Sequence, residues 1–219
     1  MIVRVGLPSF RESVTCPSCG KKGTWPRQTY ETIAALKAYD KSKIDFQVVT
    51  VSGTHCMRGR NITSQARPTD SMSPVKQILP YDYYLATDDD MAFSPMSIER
   101  LIALNLDIVG AAYMTRTGPD AHLIVACPVD KSSKPDWFKV WDSGVQECKW
   151  TGGGCLLIKK SVFEAMSYPW WRNNVVTETV DGVVYGDIQT EDVSFCQDAR
   201  AAGFKVFVDL DNRIAHIPT

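Results

Sequence analysis

Tyr83-Tyr84-Leu85-Ala86-Thr87-Asp88-Asp89-Asp90-Met91 sets three adjacent carboxylates at the end of an apolar run. Residues 81–86 read as a strand that ends on this acidic triplet. Adjacent carboxylates repel one another. In an open α/β sheet ligands gather beyond the carboxyl ends of the strands, and a hard cation there offsets the repulsion and accepts oxygen ligands. A solvated acidic turn is the other reading, and the spacing alone leaves both open.

Downstream, Ser94-Pro95 is a helix start, with Ser at the cap and Pro at the first helical position. Ile98, Leu101, Ile102 and Asn105 define that helix's faces, and residues 108–113 read as the next strand. Upstream, residues 2–7 form a first strand stopped by Pro8. Residues 8–27 read as a long loop, 29–39 as a helix with Ile33, Ala35 and Leu36 at helical spacing, and 46–51 as a second strand. The polar stretch 52–73 begins a helix near Asn61. Alternating strands and helices predict a mixed, mostly parallel sheet flanked by helices, an α/β fold of Rossmann-like type.

The second half reads differently. Strand-like pieces near 122–127, 137–141 and 145–150 lack intervening helices and predict hairpins. Gly152-Gly153-Gly154 is a turn, 155–158 a strand, and Ser161 caps a short helix. Residues 172–189 read as a loop. Thr190 caps a helix that runs to Ala202 and stops at Gly203. Residues 204–208 and 213–217 are closing strands.

Composition bounds the function. The 219 residues are 44% hydrophobic and 22% charged, which predicts one globular domain over 1–219. Lys plus Arg is 24 against 25 Asp plus Glu, so no global basic field invites nucleic acid. No apolar run reaches membrane-spanning length, and MIVRVGLPSF lacks the long apolar core of a secretory signal. Seven cysteines at irregular spacing argue against a disulfide scaffold and for a reducing, cytoplasmic setting. In that setting the sequon Asn61-Ile62-Thr63 carries no weight.

Several residues then stand out. His216, in a closing strand, is a core histidine unless a partner faces it. Thr190-Glu191-Asp192 opens a helix, where acidic residues suit the helix dipole or present a general base. The glycine triplet is a turn or a close approach of backbone to ligand. It is neither GxGxxG nor a P-loop. Cys16-Pro17-Ser18-Cys19 is half of a zinc ribbon, but the only second pair, His55 and Cys56, is adjacent and poorly spaced, so a reduced loop is expected. Trp170-Trp171 lies beside a polar loop. Adjacent residues of a strand do not both face inward, so one of the two is expected to offer a flat platform to a sugar.

Together these pieces resemble the GT-A glycosyltransferases, close to the family 2 type. VRVGLPS (3–9) is similar to the family's opening nucleotide-binding strand, YYLATDDDM (83–91) to its DxD segment, and IVGAAYMTR (108–116) to the strand that follows. WTGGGCLLIKKSVFEAM (150–166) is similar to its glycine-bearing acceptor segment, TEDVSFCQDARAAGFKVFVD (190–209) to its ED helix and next strand, and RIAHI (213–217) to its late metal-binding histidine. The resemblance covers nearly the whole chain, with a nucleotide-binding half over 1–115 and an acceptor half over 116–219.

The resemblance implies a metal-dependent, inverting transfer of a sugar from a nucleotide-sugar donor, a UDP-sugar by default, to a hydroxyl of a glycan or other acceptor. It implies Mn²⁺ or Mg²⁺ held by Asp90 and His216, with Asp88 near the metal or ribose and Asp89 between. It implies Asp192 as the base, with Glu191 its competitor. It places Pro8, Ser9, Ser52, Arg60, Asn61, Gly153 and Gly154 along the donor, and the Trp170-Trp171 platform with the acceptor. The acidic residue that often follows the family's second strand is missing from VTVSGTHC (49–56). A sugar nucleotidyltransferase and a non-catalytic nucleotide- or carbohydrate-binding module are the rival readings. The first usually carries a glycine-rich basic loop that LPSFRES (7–13) lacks.

Overall fold

The computed structural model describes residues 1–9, 14–15, 22–23, 26–67, 76–115, 124–129 and 137–217. In chain order the elements are β1 (Ile2–Ser9), β2 (Val14–Thr15), β3 (Lys22–Gly23), α1 (Arg27–Lys37), β4 (Asp45–Ser52), α2 (Cys56–Ser64), β5 (Tyr83–Thr87), β6 (Met91–Ala92) and α3 (Pro95–Ala103). Then follow β7 (Ile108–Ala112), β8 (Ala126–Pro128), β9 (Val145–Thr151), β10 (Cys155–Lys159), α4 (Lys160–Ala165), β11 (Val175–Val180), β12 (Val183–Ile188), α5 (Glu191–Ala201), β13 (Val206–Arg213) and β14 (Ala215–His216).

Eight strands form one sheet in the order β4-β1-β5-β10-β7-β13-β9-β8. β4, β1, β5, β7, β13 and β8 run one way, and β10 and β9 run the other. The chain is therefore an α/β protein with a mixed sheet. β10, from beyond residue 115, lies between β5 and β7.

Residues of period two divide the core between the sheet's faces. Leu85, Val109 and Leu157 pack with Leu36 of α1 and with Ile98 and Leu101 of α3. Their neighbours Tyr84, Ala86, Ile108, Leu156 and Ile158 pack with Phe163 of α4 and Phe195 of α5. Strands covered on both faces read as continuous apolar runs, which is how β1 and β7 appear in the sequence. No described helix is long and apolar enough to cross a membrane.

Several expectations change. Residues 137–141 are not a strand; Phe138 makes single backbone rungs to Ile124 and Ala126. The helix expected near Asn61 starts earlier, at Cys56. Ser161 is not the cap of α4, because Lys159 holds that position. Residues 206–213 form one long strand whose register shifts between Asp209 and Arg213. Residues 172–189 are mostly a hairpin, β11 pairing with β12, rather than a loop. Its turn, Asp181-Gly182, has both residues at positive φ, 51° and 79°. That geometry matches the right-handed twist of the flanking strands.

Candidate functional site

The triplet at the end of β5 fans out to three different partners. Asp88 accepts a hydrogen bond from Arg60 Nη2 at 2.6 Å. Asp89 accepts one from Ser9 Oγ at 2.5 Å, and its carbonyl accepts Thr29 Oγ1 at 2.7 Å. Asp90 is fully buried and faces His216, with 3.7 Å between Oδ1 and Nε2. The separation of the three carboxylates removes the repulsion that their adjacency would otherwise impose.

Backbone pairing places the histidine. β14 runs antiparallel to β6 with His216 opposite Met91, and Ile217 N donates to the Asp90 carbonyl at 2.7 Å. His216 Nδ1 lies 2.9 Å from the carbonyl oxygen of Met114. A carbonyl only accepts, so Nδ1 carries the proton. Nε2 then faces the Asp90 carboxylate. Histidines that ligate metals are oriented by such an Nδ1–H to carbonyl bond. Two ligands each about 2.1 Å from a cation stand about 3–4 Å apart. Asp90 and His216 therefore fit a divalent cation as a two-ligand site. No group of three or more metal-ligating side chains occurs among the described residues.

Arg60 of α2 ties the triplet to the TED segment. It is buried, and besides Asp88 it approaches Glu191 with 3.4 Å between Nε and Oε1. Its guanidinium stands 5.2 Å from the centroid of the Trp171 ring. Burial alone would lower its pKa, but Asp88, Glu191 and Asp192 outweigh burial and hold it above its ordinary value. One cation thus serves carboxylates from two distant parts of the chain.

Thr190 caps α5, and the next two residues fill its first turn. Asp192 Oδ2 accepts from Gly153 N at 3.1 Å, while Oδ1 accepts from Thr190 Oγ1 at 2.5 Å and Val193 N at 2.8 Å. The carboxylate is therefore fixed in direction. Glu191 is largely buried, and burial pushes its pKa up against the opposing pull of Arg60.

No protein-family model matches the chain. No curated protein matches it in sequence. The crystal structure of A197 from STIV is similar in fold. It superposes with a TM-score of 0.53 at 13% identity, over 100% of this chain and 95% of that chain. At that identity the likeness concerns the fold alone.

Other expected site residues sit differently. Gly153 and Gly154 are buried, and the close approach they permit is to the chain's own Arg60 and Tyr113. A Cβ on Gly153 would overlap the Arg60 guanidinium, and one on Gly154 would crowd the Tyr113 ring. Gly154 N also donates to Tyr113 Oη at 3.0 Å. The triplet is thus a seat for Arg60 and Tyr113 rather than a surface for donor. Gly153→Ala is expected to destabilise the fold by about 1–3 kcal/mol, the usual cost of overpacking, and thermal unfolding of the variant measures it. An unchanged melting temperature would show that Arg60 moves aside freely.

Asn61 is not turned toward ligand. Its Nδ2 donates to the Trp171 carbonyl at 2.6 Å and its Oδ1 accepts from Trp171 N at 3.1 Å, so the side chain clamps the backbone of Trp171 on both sides of its Cα. Trp170 and Trp171 are 3% and 0% exposed, so neither forms a platform. They lie outside any regular strand, where alternation does not apply. Trp171 stacks on Phe195 at 4.2 Å, and Trp170 Nε1 donates to the Phe163 carbonyl at 2.9 Å.

Pro8, Ser9 and Ser52 occupy the carboxyl ends of β1 and β4, with Ser9 opposite Ser52. Ser9 is buried on Asp89, while Ser52 is exposed. Cys16 and Cys19 lie outside the described residues. Cys56, Cys148, Cys155 and Cys196 are free thiols.

Sequence reasoning missed Tyr113 in this neighbourhood and weighed Cys56 only as a poorly spaced zinc ligand. Tyr113, at the end of an apparently apolar strand, bridges the glycine turn and meets the His216 ring edge-on at 5.5 Å. Cys56 lies within the electrostatic reach of Arg60 and Asp88, with burial pushing its thiol up to about 11. Its place at the start of α2 gave no signal, because the polar stretch put the helix start near Asn61.

Proposed function

We propose that this chain is a metal-dependent glycosyltransferase that moves a sugar from a nucleotide-sugar donor, with UDP-sugars the first to test, to an acceptor hydroxyl, inverting the anomeric centre. One observation supports it above the others: a buried strand-end aspartate lies 3.7 Å from Nε2 of a histidine whose other nitrogen is fixed by a carbonyl. Asp90 and His216 would hold Mn²⁺ or Mg²⁺, which when bound supplies charge stabilisation for the departing diphosphate.

The chain's own groups do the rest. Ser9 and Arg60 fix the directions of Asp89 and Asp88. Ser52 offers a hydroxyl at the open end of β4 for the nucleoside. Asp192, aimed by Gly153 and Thr190, takes the acceptor's hydroxyl proton. The acceptor oxygen bonds to the anomeric carbon as the bond from that carbon to the diphosphate oxygen breaks. Arg60, Glu191 and the triplet keep the surroundings polar and preorganised.

The test is a thermal-shift screen of nucleotide sugars with and without Mn²⁺, because a ligand that binds only the folded form raises the melting temperature. The expected result is a Mn²⁺-dependent stabilisation that EDTA removes and that both Asp90→Ala and His216→Ala lose. Full metal-dependent nucleotide affinity in Asp90→Ala would overturn the assignment of the metal. Pyrophosphate release from a nucleoside triphosphate, or tight donor binding with no turnover on any acceptor, would replace the transferase with one of its rivals.

A further inference from the structure

The chain has a second concave surface, away from the Asp–His cluster. A cleft of about 680 Å³ at the β8–β9 edge of the sheet is lined by Trp137, Lys139, Trp141, Asp142, Gln146 and Glu147, among others. That volume lies within the usual range for small-ligand sites. β9 enters the sheet with Val145 opposite Asp209 of β13, well along that strand toward its carboxyl end. Four strand steps separate β9 from β5 in the sheet order, a distance of roughly 19 Å at the normal strand spacing. The cleft is therefore not part of the site at the end of β5.

Its chemistry is specific. Trp141 is 70% exposed. A second indole, Trp137, is set edge-on against Trp150 at 5.4 Å and 88°. Charge around the cleft is largely compensated. Glu147 is ion-paired with Lys205 at 2.9 Å and Arg200 at 3.3 Å, and Asp142 faces the same cleft as Lys139. Such a surface has no field for a phosphate or a polycation. It offers flat apolar faces beside a planar carboxylate and a planar amide: Asp142, whose Oδ2 accepts from Lys139 N at 2.7 Å, and Gln146, whose Nε2 donates to the Ser143 carbonyl at 3.1 Å, each with a further oxygen at its edge. A pyranose ring has the matching pattern, with C–H faces that lie on an indole and equatorial hydroxyls that meet planar hydrogen-bonding groups at the edge.

We infer that this cleft binds a short neutral oligosaccharide through Trp141 and Trp137. The inference stands apart from the transferase reading, because it uses none of the groups assigned there. If both hold, the cleft is where a glycan acceptor keeps its grip while its end is at Asp192.

The experiment is isothermal titration of the full chain with cello-, chito-, manno- and malto-hexaose, followed in parallel by tryptophan fluorescence. At least one of these is expected to bind and to shift the emission. Trp141→Ala should weaken that binding at least tenfold and leave the melting temperature unchanged, since the side chain is mostly exposed. Asp192→Asn should bind the same sugar like the wild type. Failure of all four sugars to bind overturns the inference, as does equal affinity in Trp141→Ala. So does a proline-rich peptide that binds in their place, since such segments also dock in aromatic grooves. Loss of binding in Trp141→Ala together with unaltered nucleotide affinity in Asp90→Ala would sustain the cleft and sink the metal site, so the two readings fail separately.

Discussion

Asp192→Asn lowers sugar transfer by at least about a hundredfold, the low end for a general base, with donor affinity nearly unchanged. The carboxylate accepts from Gly153 N, Thr190 Oγ1 and Val193 N, so its position is set by groups that the substitution leaves in place. An asparagine keeps the size but turns an NH₂ group toward one of these donors. Its melting temperature is therefore measured beside its activity, so that a loss of fold is not read as a loss of base. Glu191 is the control. It is largely buried, and burial raises its pKa above the ordinary carboxylate value. It nonetheless lies against Arg60, which keeps it engaged as a counter-charge. Transfer that survives Asp192→Asn and collapses in Glu191→Gln would move the base to Glu191. Survival of both would end the inverting mechanism.

Arg60→Met costs the fold about 3–5 kcal/mol, the usual penalty for removing one partner of a buried ion pair. For a chain of this size the melting temperature falls by on the order of 10 °C. Methionine fills much of the same volume, so the loss reports charge rather than a cavity. Asp88 is one-third exposed and recovers some hydration, which sets the expectation at the lower end of the range. Arg60→Lys does not restore the wild type, because one ammonium cannot reproduce the fork that reaches both Asp88 and Glu191.

The penalty has a pH signature. Burial raises the Glu191 pKa above its unfolded value, so its relative stabilisation is full below the ordinary carboxylate range and is lost as pH rises through the folded value. Arg60 opposes that shift, and without it the loss extends to higher pH. The difference between wild type and Arg60→Met is therefore expected to widen from acid to neutral pH. A variant with wild-type melting behaviour at neutral pH would show that Arg60 is not the counter-charge of the cluster.

The parts legible in the sequence were those carried by local pattern. β1, β4, β5 and β7 read as apolar runs, α3 was marked by Ser94-Pro95, and the acidic triplet stood at a strand end. The reversal of β10 between β5 and β7 was not legible, because strand order depends on partners far away in the chain. Arg60 could not be picked out as buried within a polar stretch holding three arginines, since its burial depends on Asp88, Glu191 and the space at Gly153. Trp170 and Trp171 were misjudged by applying strand alternation to irregular backbone. The β11–β12 hairpin was read as a loop, although the sequence carries its signal. Val175–Val180 and Val183–Ile188 are rich in β-branched residues around Asp181-Gly182, a strong hairpin signal.

That hairpin sets a local timescale for the molecule. β11 and β12 pair only with each other, and Val175, Val184, Tyr185 and Ile188 are each more than half exposed. Opening it uncovers little further apolar surface, and a lone two-stranded ribbon is marginal in water. Its amide hydrogens are expected to exchange by local opening, while those of β1 and β5 wait for global unfolding. Asn173 Nδ2 donates to the Gln189 carbonyl at 2.7 Å, and Gln189 N donates to the Asn174 carbonyl at 2.9 Å. These clasps close the ribbon's base just before Thr190, so fraying at the tip ends short of Asp192. A protease that cuts at Asp181-Gly182 would leave two fragments still held as one fold, with the acidic cluster intact.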